Sequence, residues 1–228
     1  MTILKVTLPK YETTLPISGK KVIYRPFVSR EEKILLLAQE ENNVESIIRA
    51  LDQIFEECTF GVVKIDDLNK VDAEYLFIQM RNKSLGEGVE VNGICKSCKG
   101  KTHLVLNLEQ IKVENKNAES TFKLSDDLWV TMKIPPIKDS LALDKDDEDA
   151  VIACSLDTIT QGESSYNASE YSIEERKEFV DSLARYQKVK LKKFFDEFPV
   201  LTYDVDFKCS HCLEENHVHV EGIEHFFG

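Results

Sequence analysis

Two CxxC pairs, Cys95-Lys96-Ser97-Cys98 and Cys209-Ser210-His211-Cys212, constrain this chain more than any other feature, although 110 residues separate Cys98 from Cys209. Such a gap alone would be a weak signal, but the two pairs sit in matching frames. Aligning Cys95 on Cys209 also places Val91 on Val205, Cys98 on Cys212, His103 on His217, Leu104 on Val218 and Leu106 on Val220. Each half therefore reads as strand, cysteine knuckle, strand, with apolar residues at equivalent positions. Two such hairpins facing one another would present four thiolates tetrahedrally, the closed geometry of structural zinc. Thiolate softness also selects zinc over magnesium or calcium.

The expected metal ligands are thus Cys95, Cys98, Cys209 and Cys212, and the expected cofactor is one structural zinc. Iron in place of zinc, loss of the metal to leave two free dithiols, and a redox dithiol are the alternatives. The redox role normally needs a CxxC at a helix N-terminus to lower the thiol pKa, and here the flanks alternate like strands. A histidine could replace a cysteine, with His211, His217 and His219 nearby, but four cysteines already complete the shell. Cys58, inside an apolar helical pattern, and Cys154, beside Val151 and Ile152, are expected to be inert packing residues.

The formal net charge of −12 argues against binding a phosphate backbone by charge. No run of about 18 apolar residues is present, so no membrane span is expected. Met1–Lys10 lacks the apolar stretch of a secretory signal, which suggests a reducing compartment, where paired cysteines favour metal over disulfide. Signatures of catalysis are missing: no GxxxxGK[ST], GxGxxG, GxSxG or HExxH occurs. The acids Asp144, Asp146, Glu148 and Asp149 lack the glycine of a calcium loop. A zinc closed by four cysteines offers no open position. No catalytic residue is expected, and the chain reads as a non-enzyme.

The expected fold class is α+β: a helical N-terminal part alongside a split zinc ribbon that carries a mixed strand and helix insertion. Residues 1–27 read as an extended arm and a strand, 28–88 as the helical part, 89–112 plus 200–228 as the ribbon, and 113–199 as the insertion. Ser29 and Glu32 form a capping-box pattern. Ile47, Ile48, Leu51, Ile54 and Phe55 give the next helix one apolar face, and Asp72 reads as the cap of a third. Phe122–Ile134 alternates again with period two and ends at Pro135-Pro136. After Pro135-Pro136 a helical region is expected to run to about Phe198, with Ser172 and Glu175 as a second capping box. Asp139–Asp149 holds six acids and one lysine, whereas Arg185–Lys193 holds five bases and no acid. The two blocks read as solvated faces or as a docking surface.

The run Lys20-Lys21-Val22-Ile23-Tyr24-Arg25-Pro26-Phe27, followed by Glu31-Glu32-Lys33-Ile34-Leu35-Leu36, resembles the opening of the T-even-type bacteriophage baseplate hub assembly proteins. So does Asp72-Ala73-Glu74-Tyr75-Leu76-Phe77 running into Met80-Arg81-Asn82-Lys83-Ser84-Leu85-Gly86, with a CxxC after it and another near the C-terminus. The resemblance covers mainly residues 20–112 and 200–228. It implies a viral tail protein, structural or chaperone-like, that assembles the hub through other tail and baseplate proteins and through possible self-association. It would act in the host cytoplasm during assembly and could remain in the virion baseplate. The rival reading is a zinc-ribbon nucleic-acid-binding or transcription accessory protein: Lys96, Lys99 and Lys101 make a basic spot, which Asp204, Asp206, Glu214 and Glu215 offset. The apolar residues Ile3, Leu4, Val6 and Leu8 and the terminal Phe226-Phe227 are further candidate contact points for a partner.

Overall fold

The computed structural model describes residues 7–41, 43–85, 88–114, 119–143 and 147–221. The expectations placed on Ile3, Leu4, Val6, Phe226 and Phe227 lie outside them. The chain is a mixture of α and β structure divided into two compact units. One spans Met1–Lys64, Val71–Glu114 and Val200–Gly228, and the other spans Ile65–Lys70 and Asn115–Pro199.

In the first unit, β1 (Tyr11–Thr14) pairs antiparallel with β2 (Lys21–Tyr24). Residues read as an extended arm therefore include one side of a hairpin. Three helices follow: α1 (Ser29–Glu41), α2 (Val44–Cys58) and α3 (Lys70–Leu85). Buried apolar side chains from the hairpin (Leu15, Val22, Tyr24), from α2 (Ala50, Ile54, Phe55) and from α3 (Leu76, Ile78, Met80) supply its interior.

Two acids here have roles that local pattern did not reveal. Glu31, not Glu32, reaches back over the start of α1, accepting the Val28 N–H at 2.8 Å. Its side chain is fully buried and also accepts from Arg25 at 3.0 Å and Arg30 at 3.1 Å. Burial opposes ionisation of Glu31, but Arg25, the Val28 amide and Arg30 outweigh it and hold the carboxyl down to about 2. Asp72 lies inside α3, and its carboxylate accepts the Ile17 and Ser18 N–H groups at 2.8 and 3.0 Å. It thereby anchors the turn between β1 and β2 through otherwise unpaired backbone donors.

The remaining strands of this unit make two antiparallel arrangements. β3 (Gly88–Ile94) pairs with β4 (Lys101–Asn107). β5 (Lys112–Glu114), β10 (Val200–Lys208) and β11 (Glu215–Glu221) form a three-stranded sheet in the order β11-β10-β5. A Cβ added at Gly93 would lie 2.7 Å from the Leu104 side chain and 2.8 Å from the Phe207 ring. The β3–β4 hairpin can approach β10 this closely because residue 93 has no side chain.

The second unit contains β6 (Thr121–Lys123), β7 (Leu128–Met132), β8 (Leu156–Gln161) and β9 (Ser164–Asn167) in one antiparallel sheet, ordered β6-β7-β8-β9. Its helices are α4 (Ile137–Ala142), α5 (Glu148–Cys154), α6 (Ile173–Ser182) and α7 (Arg185–Asp196). Phe122, Val130, Met132 and Leu156 on the sheet meet Ile152 and Ala153 of α5, Val180 of α6, and Leu191 and Phe194 of α7 in one core.

The alternation over Phe122–Ile134 is carried by two strands, β6 and β7, because Ser125-Asp126-Asp127 turns the chain between them and Ser125 donates to Asp127 at 2.8 Å. The region after Pro135-Pro136 is not helical throughout, because β8 and β9 interrupt it. The β-branched run Thr158-Ile159-Thr160 favours a strand, and Gly162, at φ 58°, supplies the positive dihedral that a tight hairpin turn uses. The Ser172–Glu175 capping box forms as expected: Ser172 accepts the Glu175 N–H at 3.2 Å, and Glu175 accepts the Ser172 N–H at 2.8 Å.

The charged blocks meet each other, an outcome that neither sequence reading anticipated. Lys188 of α7 pairs with Asp149 at 2.8 Å, and Lys192 pairs with Glu148. Lys177 of α6 pairs with Asp147 at 2.6 Å. These contacts are partly exposed and so contribute little to stability, but they pair Glu148 and Asp149 of the acidic block with Lys188 and Lys192 of the basic one; Asp144 and Asp146 lie outside the described residues.

Candidate metal centre

The internal repeat seen in the sequence extends to hydrogen-bond register. Seven pairs join β3 to β4, from Gly88↔Asn107 to Ile94↔Lys101, and seven join β10 to β11, from Thr202↔Glu221 to Lys208↔Glu215. Adding 114 to each residue of the first set gives the second. Each hairpin ends in a CxxC turn built by the same backbone bonds. Cys95 N–H donates to Gly100 O at 3.0 Å, and Cys209 N–H donates to Glu214 O at 2.9 Å. Lys99 N–H donates to Cys95 O at 3.0 Å, and Leu213 N–H donates to Cys209 O at 3.1 Å. Lys99 and Leu213 both adopt left-handed φ, at 60° and 63°. Neither is a glycine, so both turns hold a locally unfavourable dihedral.

The two turns bring the expected cysteines together. All four sulfurs lie within 4.8 Å of one another. Cys95 Sγ is 3.6 Å from Cys212 Sγ, and Cys98 Sγ is 3.6 Å from Cys209 Sγ. Those distances exceed a disulfide's ~2.05 Å, and all the cysteines are free thiols. Four zinc–sulfur bonds of ~2.3 Å in a tetrahedron would set the sulfurs ~3.8 Å apart, close to the observed separation. Cys95 and Cys209 are fully buried, whereas Cys98 and Cys212 face solvent.

The surroundings favour sulfur anions at the buried pair. The Cys98 and Ser97 amides, with Asn216, bring Cys95 down to about 6. The Cys212 and His211 amides lower Cys209 likewise. The Glu214 amide favours the Cys212 thiolate too, but the neighbouring sulfurs of Cys98, Cys95 and Cys209 push that thiol up to about 12. Crowded sulfurs that cannot all ionise alone are a donor set suited to a soft cation, which would replace the shared protons. Four thiols with one buried member on each turn fit zinc.

None of the nearby histidines joins the group. His211 lies over Gly100, where an added Cβ would be 2.6 Å from the ring, and its Nε2 is 3.2 Å from the Lys101 carbonyl. His217 Nδ1 meets Asp206 at 2.8 Å, and His219 Nδ1 meets Asp204 at 2.8 Å. The exposed lysines at 96, 99 and 101 share the paired hairpins with exposed acids at 204, 206, 214 and 215. Cys58 is buried, and burial pushes its thiol up to about 11. Burial also raises Cys154. Both behave as packing residues.

Sequence reasoning missed Thr102 and Asn216, which are buried beside the cysteines. The shift of 114 places one on the other, so the signal was present.

A family model described as T4 bacteriophage base plate protein matches residues 8–228. No curated protein and no solved structure matches the chain.

Proposed function

The chain belongs to the T4 bacteriophage base plate protein family, and from that premise we propose that it serves the baseplate hub as a structural or chaperone-like assembly protein. It works by binding other tail proteins rather than by chemistry. The observation that carries this reading is the family match over residues 8–228, which takes in both compact units and not the cysteine hairpins alone. The protein meets its partners in the host cytoplasm during assembly, and its place in the finished particle is the tail baseplate.

One zinc ion held by Cys95, Cys98, Cys209 and Cys212 makes the two hairpins a split zinc ribbon. When bound, the ion supplies a single closed junction for four thiolates and leaves no position for a substrate. The chain's own part is to deliver two sulfurs on each rigid turn and to point backbone N–H groups at them. Gly100 N–H lies 3.4 Å from Cys98 Sγ, and His211 N–H lies 3.4 Å from Cys209 Sγ. The ribbon joins segments far apart in sequence, 88–107 and 202–221, and residues 115–199 form the insertion between them.

The test is affinity capture of the full-length chain from cells co-expressing the phage tail proteins. Specific recovery of a baseplate hub protein is expected. Recovery of no tail protein would refute the interaction role. Tight, salt-steep retention on DNA or RNA instead would restore the nucleic-acid reading.

A further inference from the structure

Thr102 and Asn216 occupy equivalent places in the two hairpins, and each reaches across to the opposite CxxC turn. Asn216 Oδ1 accepts the Lys96 N–H at 2.9 Å, and Thr102 Oγ1 accepts the Ser210 N–H at 3.1 Å. Lys96 and Ser210 are themselves equivalent, being the first residue after the leading cysteine of each turn. Asn216 and Thr102 are buried, at 5% and 8% exposure, so losing either one would take the side-chain acceptor from a partly buried backbone donor of the opposite turn. The turns are therefore cross-clasped by a reciprocal pair of bonds that involves no metal.

The two clasps differ in one respect. Asn216 has an amide nitrogen as well, and Nδ2 donates to the Glu214 carbonyl at 2.9 Å and to Cys95 Sγ at 3.6 Å. Thr102 has only its hydroxyl, which lies 3.4 Å from Ser210 Oγ. Cys95, fully buried, thus gains a side-chain N–H donor from the other hairpin, whereas Thr102 directs no such bond to Cys209.

We propose that Asn216 and Thr102 are positioning residues of the cysteine centre: they dock the two turns before metal arrives, and Asn216 also tunes the Cys95 sulfur. The proposal rests on the metal reading above. It follows that the site's affinity depends on two residues that never touch the ion, as outer-shell partners commonly do. It also follows that the halves of the site are unequal despite their repeat. A filled sulfur orbital is lowered by an N–H donor, so removing the donor should bring the sulfur-to-metal charge-transfer transition to lower energy.

The experiment titrates the full chain with Co(II), a coloured probe of tetrahedral thiolate sites, in the presence of a competing chelator. Asn216→Ala should bind the probe about 10–100-fold more weakly and shift the charge-transfer band to lower energy. Thr102→Val should also bind more weakly, with the band unmoved, because its hydroxyl touches no sulfur. A residue that only supports the fold would lower the melting temperature while the folded chain still bound the probe as tightly as the unaltered one, with the band where it is. Asn216→Asp keeps the acceptor for Lys96 but replaces the donor to Cys95, so it carries the test if Asn216→Ala does not fold. An unmoved band and an affinity within about twofold of the unaltered chain, in whichever Asn216 variant folds, would overturn the proposal alone. Failure of the unaltered chain to take up about one Co(II) would overturn the metal reading with it.

Discussion

Replacing Glu31 with glutamine removes a buried charge whose stabilising contribution follows from its surroundings. The carboxylate has no exposed surface and meets Arg25, Arg30 and the Val28 N–H at 3.0, 3.1 and 2.8 Å. Its pKa falls from an ordinary 4.5 to about 2, which corresponds to about 3 kcal/mol at ~1.4 kcal/mol for each pH unit. Because the folded value lies below the unfolded one, this stabilisation is complete above about pH 5. It fades as the pH falls through 4.5 toward 2. Glutamine keeps one acceptor oxygen but loses the charge, and it leaves Arg25 and the exposed Arg30 with Glu57 as their carboxylate partner. Urea denaturation of Glu31→Gln at pH 7 should therefore show a loss of about 3 kcal/mol. The gap from the unaltered protein should close as both are titrated from pH 5 to pH 2. A gap under about 1 kcal/mol at pH 7, or one that does not change with pH, would refute this account of the first helix's start.

Two further predictions concern the hairpins. Gly93→Ala drives a methyl to within 2.8 Å of the Phe207 ring and 2.7 Å of Leu104, so it should lower stability by about 1–3 kcal/mol in thermal melts; an unchanged melting temperature would contradict the close packing. Leu213, 65% exposed and at φ 63°, is strained where glycine is not, so Leu213→Gly should leave stability unchanged or raise it by up to about 1 kcal/mol. A loss greater than that would contradict the geometry of the second CxxC turn.

The sulfur cluster was legible in the sequence because a repeat imposes constraints that composition cannot. Val91 matching Val205 and Leu104 matching Val218 required the two cysteine pairs to share a register, and the register is identical throughout both hairpins. The helices from Val44 to Cys58 and from Ile173 to Ser182 were legible because an apolar face or a complete capping box specifies them locally. What escaped was non-local. Asp72 looks like a cap because acids favour helix starts, but its carboxylate accepts backbone amides 54 and 55 residues away. That the acidic and basic blocks meet each other is not legible locally, because nothing in either run shows that α5 and α7 lie against the same core. The strands β8 and β9 fell in a stretch whose helical flanks dominated the reading, although Thr158-Ile159-Thr160 and Gly162 carried the contrary signal. Thr102 and Asn216 were discoverable from the repeat, but a threonine matched to an asparagine becomes meaningful only once both are seen to accept the same kind of amide.

Metal content measured by native mass spectrometry on the purified full-length chain, before and after strong chelation, tests the four-cysteine centre most directly. The account predicts one zinc per chain, a lower melting temperature once it is removed, and loss of the ion in Cys95→Ser and Cys212→Ser but not in Cys58→Ser. A folded chain that carries no metal and melts at the same temperature with and without chelator would contradict it.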